Sequence, residues 1–178
     1  ERDRSRLEDC RERMDVSPLG ACALAGTSLP TDPEFTADRL GYSSSFRNSV
    51  DAVSDRDFVL EFVSSLSVIA THMSRLAEDW LLWSTNEFDF LDLDEAFCTG
   101  SSIMPHKKNP DVFELMRGKA NRLAALPNEL LMLTSNLPSG YHRDFQLLKE
   151  ILFPAIGSLK ESLHICNYML QRVEINPR

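Results

Sequence analysis

The stretch "CTGSSIMPHKKNPDVFEL", Cys98 to Leu115, gathers a glycine, two adjacent serines, a histidine and two lysines ahead of Asn-Pro. Those residue types in that order fit a loop that handles an anion. Gly100 permits a tight or left-handed backbone before the serines. Ser101 and Ser102 offer hydroxyls and neighbouring backbone N–H groups, and Lys107 brings a compact positive charge. Asn109-Pro110 reads as a helix start, with Asn109 as N-cap, Pro110 at the first helical position and Asp111 in the first turn. The positive end of that helix adds to the field of the lysine. The combination favours a carboxylate or a phosphate. A serine is a weak base at its free pKa and works as one only where positive charge and N–H donors stabilise its alkoxide. The competing reading is a solvated connection between helices, and composition alone does not separate the two.

The chain that must position this loop has 178 residues, a formal net charge of −8, 43% hydrophobic and 26% charged residues. That is the make-up of an ordinary globular protein with enough apolar residues for a core. The acidic balance argues against nucleic acid as a partner but leaves room for a local basic pocket that takes an acidic substrate. No apolar run reaches the roughly 18 residues of a membrane span. The opening "ERDRSRLEDCRERMD" is dense in charges of both signs and is not a signal peptide. It starts inside a helical pattern without an initiator Met, which predicts a fragment of a longer protein. The four cysteines, Cys10, Cys22, Cys98 and Cys166, form no CxxC pair. They read as reduced thiols of a cytoplasmic protein, with no metal site.

The elements are helical. Residues 1–15 read as the end of a polar-faced helix, and Val16 to Phe35, with its prolines and glycines, as an irregular connection. Thr36 to Leu40 gives a short helical turn stopped by Gly41. Phe58, Phe62, Leu66, Ile69, Met73, Leu76, Trp80 and Trp83 recur at three- and four-residue steps, which predicts one long amphipathic helix over 49–84. After an acidic, turn-rich piece and the quoted loop, Phe113, Met116, Ala120 and Leu123 continue the helical spacing. Pro127 is expected to kink that helix or begin a new one. "LPSGYHRD" breaks it, and a final helix over 145–171 carries a kink at Pro154. No strand alternation of useful length occurs. The predicted fold class is all-α, a long-helix bundle.

"GSSIMPHKKNP" closely resembles the signature of the fumarase/aspartase superfamily, Gly-Ser-Ser-x-Met-Pro-x-Lys-x-Asn. The resemblance extends to "SPLGACALAGTSLPTD", "NSVDAVSDRDFVLEF", "SRLAEDWLLWSTNEFDF", "NPDVFELMRGKANR" and "LPSGYHRDFQLLKE", all of which look like argininosuccinate lyases. It covers the chain from about Leu7 to the end. It implies the central helical domain of that superfamily over 1–178, a single partial domain. The region carrying the catalytic histidine would precede it and a small C-terminal domain would follow it.

The resemblance also implies roles. Ser101 matches the serine that abstracts a proton from the carbon next to a carboxylate. Lys107 matches the lysine that stabilises the resulting aci-carboxylate-like dianion, and Asn109 the asparagine that binds substrate. Glu114 matches a glutamate that pairs with the catalytic histidine. Tyr141, Gln146 and Lys149 match the Tyr-x-x-x-x-Gln-x-x-Lys set that holds argininosuccinate. Gln146 and Lys149, three apart, share a face if helical. Ser102 and Arg56 are further substrate-binding candidates; Arg56 and Asp57 also fit an ion pair within the helix. Neither metal nor organic cofactor is implied, because the substrate's own carboxylate is the electron sink. The implied assembly is a homotetramer in which three subunits build each site, and a fragment bearing this helix stripe is expected to self-associate.

Where the family has its Gly-x-Thr-His-x-Gln and Ser-x-Asn segments this chain has none, so the fragment is expected to be inactive alone. Of its histidines, His72 and His164 fall within helical patterns, and His142 neighbours the substrate tyrosine. His106, at the variable position of the signature, is familiar from adenylosuccinate lyases and supports that rival substrate. "NSVDAVSDRDF" and "YHRDFQLLK" speak against it. A non-catalytic protein of the same fold, like the lens δ-crystallins, is the other rival.

Overall fold

Three long helices carry most of the α-helical residues in the computed structural model, which describes residues 1–104 and 106–176. In chain order the elements are α1 (Arg2–Met14), β1 (Val16–Ser17), α2 (Pro33–Leu40), β2 (Ser44–Ser45), α3 (Ser49–Ser54) and α4 (Asp57–Trp83). There follow β3 (Leu91–Asp92), α5 (Asp111–Thr134), α6 (Leu148–Leu170) and β4 (Glu174–Ile175). The fold is all-α, as the helical periodicity predicts. The strands are two-residue ties that no alternation signals: β1 runs parallel to β2, Val16 opposite Ser44, and β3 antiparallel to β4, Leu91 opposite Ile175. The chain gathers into two compact units. The first holds Glu1–Ser65 with Pro127–Leu152, and the second Leu66–Leu126 with the segment from Phe153 onward.

The helix expected over 49–84 is two helices. Asp55 is extended, with φ −69° and ψ 142°, and ends α3. Its carboxylate then accepts from the Asp57 N–H at 3.0 Å and restarts the chain as α4. Neither glycine nor proline marks this break; an aspartate competing for a helical N–H makes it. Helix α2 also starts earlier than Thr36, because Asp32 caps the Phe35 N–H at 2.9 Å with Pro33 in the first turn. The last helix starts at Leu148 after a 3₁₀ turn over Arg143–Gln146.

Within α4 the buried apolar residues are Val59, Val63, Leu66, Ala70, Met73, Ala77 and Trp80. They alternate steps of four and three, the spacing of a coiled-coil seam. Of the expected stripe, Leu66, Met73 and Trp80 lie on this seam. Phe62, Ile69 and Leu76 run beside it half-buried, and Phe58 and Trp83 remain exposed.

In the second unit α4 and α5 run antiparallel: Ser67 meets Leu123, Glu78 pairs with Arg117, and Trp80 stacks edge-on against Phe113 at 5.0 Å. Lys119 of α5 pairs with Glu161 of α6 at 3.1 Å.

Helix α5 continues through Pro127 instead of ending there. Proline has no N–H, so the carbonyl four residues back, on Leu123, loses its helical donor. The buried Ser67 hydroxyl donates to that carbonyl at 2.7 Å. Ser67→Ala in the full-length protein is therefore expected to cost about 1–3 kcal/mol, the penalty for an orphaned buried acceptor. In a Pro127→Ala background the new N–H serves Leu123 O, and the cost should shrink toward zero. Urea melts of the four proteins check this; equal costs in both backgrounds would disprove the compensation. Pro154 is tolerated more simply, because the carbonyl it frees belongs to exposed Glu150.

Candidate active site

The second unit builds the signature loop from its base. Asp94 caps the 3₁₀ turn Glu95–Phe97 by accepting from the Ala96 N–H at 3.0 Å. Phe97 is buried and meets Tyr168 of α6 edge-on at 5.6 Å. The chain then leaves the core, and Thr99 pairs with Asn109 as an isolated antiparallel bridge. The residues between them are largely exposed, Ile103 at 88%.

Inside the loop the Ser101 hydroxyl oxygen accepts from two backbone N–H groups, those of Ile103 and Met104, each at 3.3 Å. These donors match what an alkoxide needs. The Lys107 N–H donates to Met104 O at 2.9 Å. The two lysines differ. Lys108 pairs with Glu95 at 3.1 Å, and this bond holds its pKa above the ordinary lysine value. The Lys107 ammonium has no partner among the described residues. Burial pushes the neighbouring Cys98 thiol up against the pull of Lys108. Pro105 of the signature lies outside the described residues.

Asn109 is not the N-cap of α5. Pro110 O takes the first helical bonds, from Phe113 N–H at 3.1 Å and Glu114 N–H at 3.4 Å. The bridge draws the Asn109 amide to Thr99 O instead, at 3.1 Å. Glu114 is exposed in the first turn of α5, with no carboxylate partner among the described residues. Ser102 is likewise exposed.

The first unit brings Tyr141, Gln146 and Lys149 together. Gly140, buried with φ +117°, turns the chain against Leu24. Its N–H donates to the Ser54 hydroxyl at 2.6 Å. The Gln146 amide nitrogen donates to the Tyr141 hydroxyl, and its carbonyl accepts from Lys149 Nζ at 3.3 Å. The face predicted for Gln146 and Lys149 is thus real, although Gln146 closes a 3₁₀ turn and only Lys149 is α-helical. The trio offers an ammonium, an amide and a phenol within one exposed cluster.

Beneath it sits Phe145, buried, with Tyr141 edge-on at 6.1 Å. Arg56 lies over the same ring, 4.2 Å from its centroid. The guanidinium also donates to Val53 O at 3.1 Å and to Asp55 O. Burial pulls its pKa down, against the opposing pull of Asp55 and Tyr141. Arg56 therefore braces this cluster from the α3–α4 break, and no Asp57 partner holds it in an ion pair. His142 braces the turn as well, its Nε2 2.8 Å from Pro138 O. His106 and His164 are exposed and His72 half-buried. No group of three or more His, Cys, Asp or Glu among the described residues is placed to hold a metal ion.

Sequence reasoning missed Ser54, Glu95, Thr99 as a hydroxyl donor and Asp111 as its acceptor. None forms a local pattern; each acquires its partner only on folding.

The family model described as "Lyase" matches residues 1–124. An argininosuccinate lyase of Pelobacter propionicus is 50% identical over 176 residues, which cover 99% of this chain and 38% of that protein. The chain thus spans well under half the length of the curated relatives it matches. The crystal structure of an EDDS lyase superposes with a TM-score of 0.89 at 29% identity, covering 98% of this chain and 35% of the other. A class II fumarase from Schistosoma mansoni, 18% identical, superposes at 0.84 over 98% of this chain and 42% of its own, a likeness of fold alone. The family match runs through α4 and the signature loop and into α5, more than half of the chain, and the chain belongs to this lyase family of the fumarase/aspartase superfamily.

Proposed function

We propose that the full-length protein is an argininosuccinate lyase, a carbon–nitrogen lyase of arginine biosynthesis. The observation that carries this reading is the 50% identity to an argininosuccinate lyase over 99% of the chain. In this reading Ser101 takes the proton from the carbon next to the substrate carboxylate. Electrons move into that carboxylate, and Lys107 stabilises the dianion that forms. On collapse that pair forms the carbon–carbon double bond of fumarate, and the carbon–nitrogen bond breaks with its own electron pair left on the guanidino nitrogen of arginine. An acid from outside this chain protonates that nitrogen. Glu114 pairs with the catalytic histidine, also from outside the chain. Asn109, Ser102, Tyr141, Gln146 and Lys149 hold substrate. The two N–H groups on Ser101 Oγ and a Lys107 ammonium without a partner among the described residues support the first step. The Tyr141–Gln146–Lys149 cluster supports the binding of an anionic substrate.

The active form is a homotetramer of the cytoplasm. Its support is the apolar surface these helices leave open: Phe58 and Trp83 on α4, Leu115 at 65% and Met132 at 71% exposure on α5. No described helix is long and apolar enough to cross a membrane. The test is a direct assay of the purified full-length protein on argininosuccinate and adenylosuccinate, with sizing by light scattering. Fumarate release from argininosuccinate by a tetramer is expected. Cleavage of adenylosuccinate alone, or of neither, would sink the reading.

A further inference from the structure

The signature loop leaves and rejoins the fold at one neck. Thr99 and Asn109 exchange backbone bonds there, Thr99 N–H to Asn109 O at 3.0 Å and Asn109 N–H to Thr99 O at 2.9 Å. The Asn109 amide adds its own bond to Thr99 O. Above these, the Thr99 hydroxyl donates to Asp111 Oδ2. Asp111 stands in the first turn of α5, so this bond ties the outgoing edge of the loop to a rigid helix. A hydroxyl-to-carboxylate bond is charge-assisted and stronger than a neutral one.

The two residues with proposed chemistry sit symmetrically about this neck. Ser101 follows Thr99 by two positions and Lys107 precedes Asn109 by two. Met104 links them inside the loop, its N–H on Ser101 Oγ and its carbonyl on the Lys107 N–H. The exposed tip contributes little restraint of its own, since Ile103 and Met104 are both exposed. The neck therefore sets where Ser101 and Lys107 stand relative to each other.

We propose that Thr99 and Asp111 are a positioning clamp: their side-chain bond holds the serine base and the lysine in working relation, and neither touches the reacting atoms. The inference rests on the lyase reading for what Ser101 and Lys107 do. Misplacing a reacting group by about 1 Å costs on the order of 100-fold in rate, and the clamp controls distances of that size.

The test uses the full-length protein with Thr99→Val, Asp111→Asn, the double variant and Thr99→Ser. Thr99→Val and Asp111→Asn should each lower kcat by about 10- to 100-fold with KM nearly unchanged. The double variant should be no worse than Thr99→Val alone, because Asp111→Asn strips the charge assistance from the one bond that Thr99→Val already removes. Thr99→Ser, which keeps the donor, should restore kcat. The pH–rate profile should keep its inflections, because no titrating group leaves the chemistry. Parent-like kcat in Thr99→Val would overturn the clamp. So would a loss in Asp111→Asn confined to KM, or a shifted pH profile, either of which would make Asp111 a substrate-binding or titrating group.

Hydrogen exchange at the Thr99 and Asn109 amides supplies a readout that needs no substrate. It should quicken in Thr99→Val and Asp111→Asn and stay at the parent rate in Thr99→Ser. A full-length protein that leaves argininosuccinate intact would remove the lyase reading while exchange still decides the clamp. Unchanged exchange in Thr99→Val and Asp111→Asn would remove the clamp.

Discussion

Replacing Ser101 by alanine in the full-length protein is expected to lower turnover of argininosuccinate by about 10²- to 10⁴-fold, the range a positioned general base contributes. The fold should not change with it. Ser101 sits in an exposed loop, and the N–H groups it accepts from, on Ile103 and Met104, turn to water when the hydroxyl goes. The thermal melt followed by circular dichroism should overlay that of the parent. Ser102→Ala is the control. Its hydroxyl is exposed, and its proposed role is in binding, so its effect should fall on KM and leave kcat close to the parent value. Equal losses of kcat in the two variants would count against Ser101 as the base. Parent-like turnover in Ser101→Ala would end that assignment.

The second large effect separates two adjacent lysines. Lys107→Met should cost about 10²- to 10³-fold in kcat, the price of removing one preorganised charge from a developing anion. Lys108→Met should leave kcat near the parent value. Both side chains are exposed and their chemistry is identical; the difference lies in their partners. Glu95 holds Lys108 at 3.1 Å and raises its pKa, which takes that charge away from any substrate. Lys107 has no partner among the described residues. An exposed ion pair adds little stability, so its effect here is on which cation is available. Lys107→Arg should not restore the rate, because a planar guanidinium delivers its charge from different positions than a compact ammonium. Glu95→Gln offers a cross-check: it frees Lys108 without touching Lys107. Its kcat should stay near the parent value; a large loss would show that Glu95 acts on the reaction directly. Steady-state kinetics at fixed salt reads all four variants.

Much of the fold was legible along the chain. The helices announce themselves because apolar residues at three- and four-residue steps meet on one face, a consequence of local geometry. The errors fell at helix ends, where one side chain outweighs the pattern. Asp55 broke the helix expected over 49–84, and Asp32 with Pro33 moved the start of α2. Asn109 failed as a cap because its amide had a stronger claim in the bridge to Thr99. No new helix begins at Pro127, one of the two outcomes expected there, and a serine on another helix takes the orphaned carbonyl. In each case an acceptor or donor found a partner that helix periodicity does not register.

The candidate site divides in the same way. Tyr141, Gln146 and Lys149 lie close in sequence, so their spacing already placed them together, and Phe145 packs edge-on against Tyr141. The signature from Gly100 to Asn109 is a continuous string, which is why family and fold class were readable from residues alone. Other features rest on partners remote in sequence. The signature already singles out Lys107 over Lys108, but the pairing that occupies Lys108 needs Glu95 at 3.1 Å. The brace under Tyr141 needs Arg56 brought over Phe145. The neck of the loop needs Thr99 to find Asp111. Bonds within about four residues follow from backbone geometry, which any helix-forming sequence declares in advance. Bonds across longer separations exist only once packing has closed the intervening chain, and in this protein those bonds hold Lys108, brace the ring beside Tyr141 and tie the neck of the signature loop.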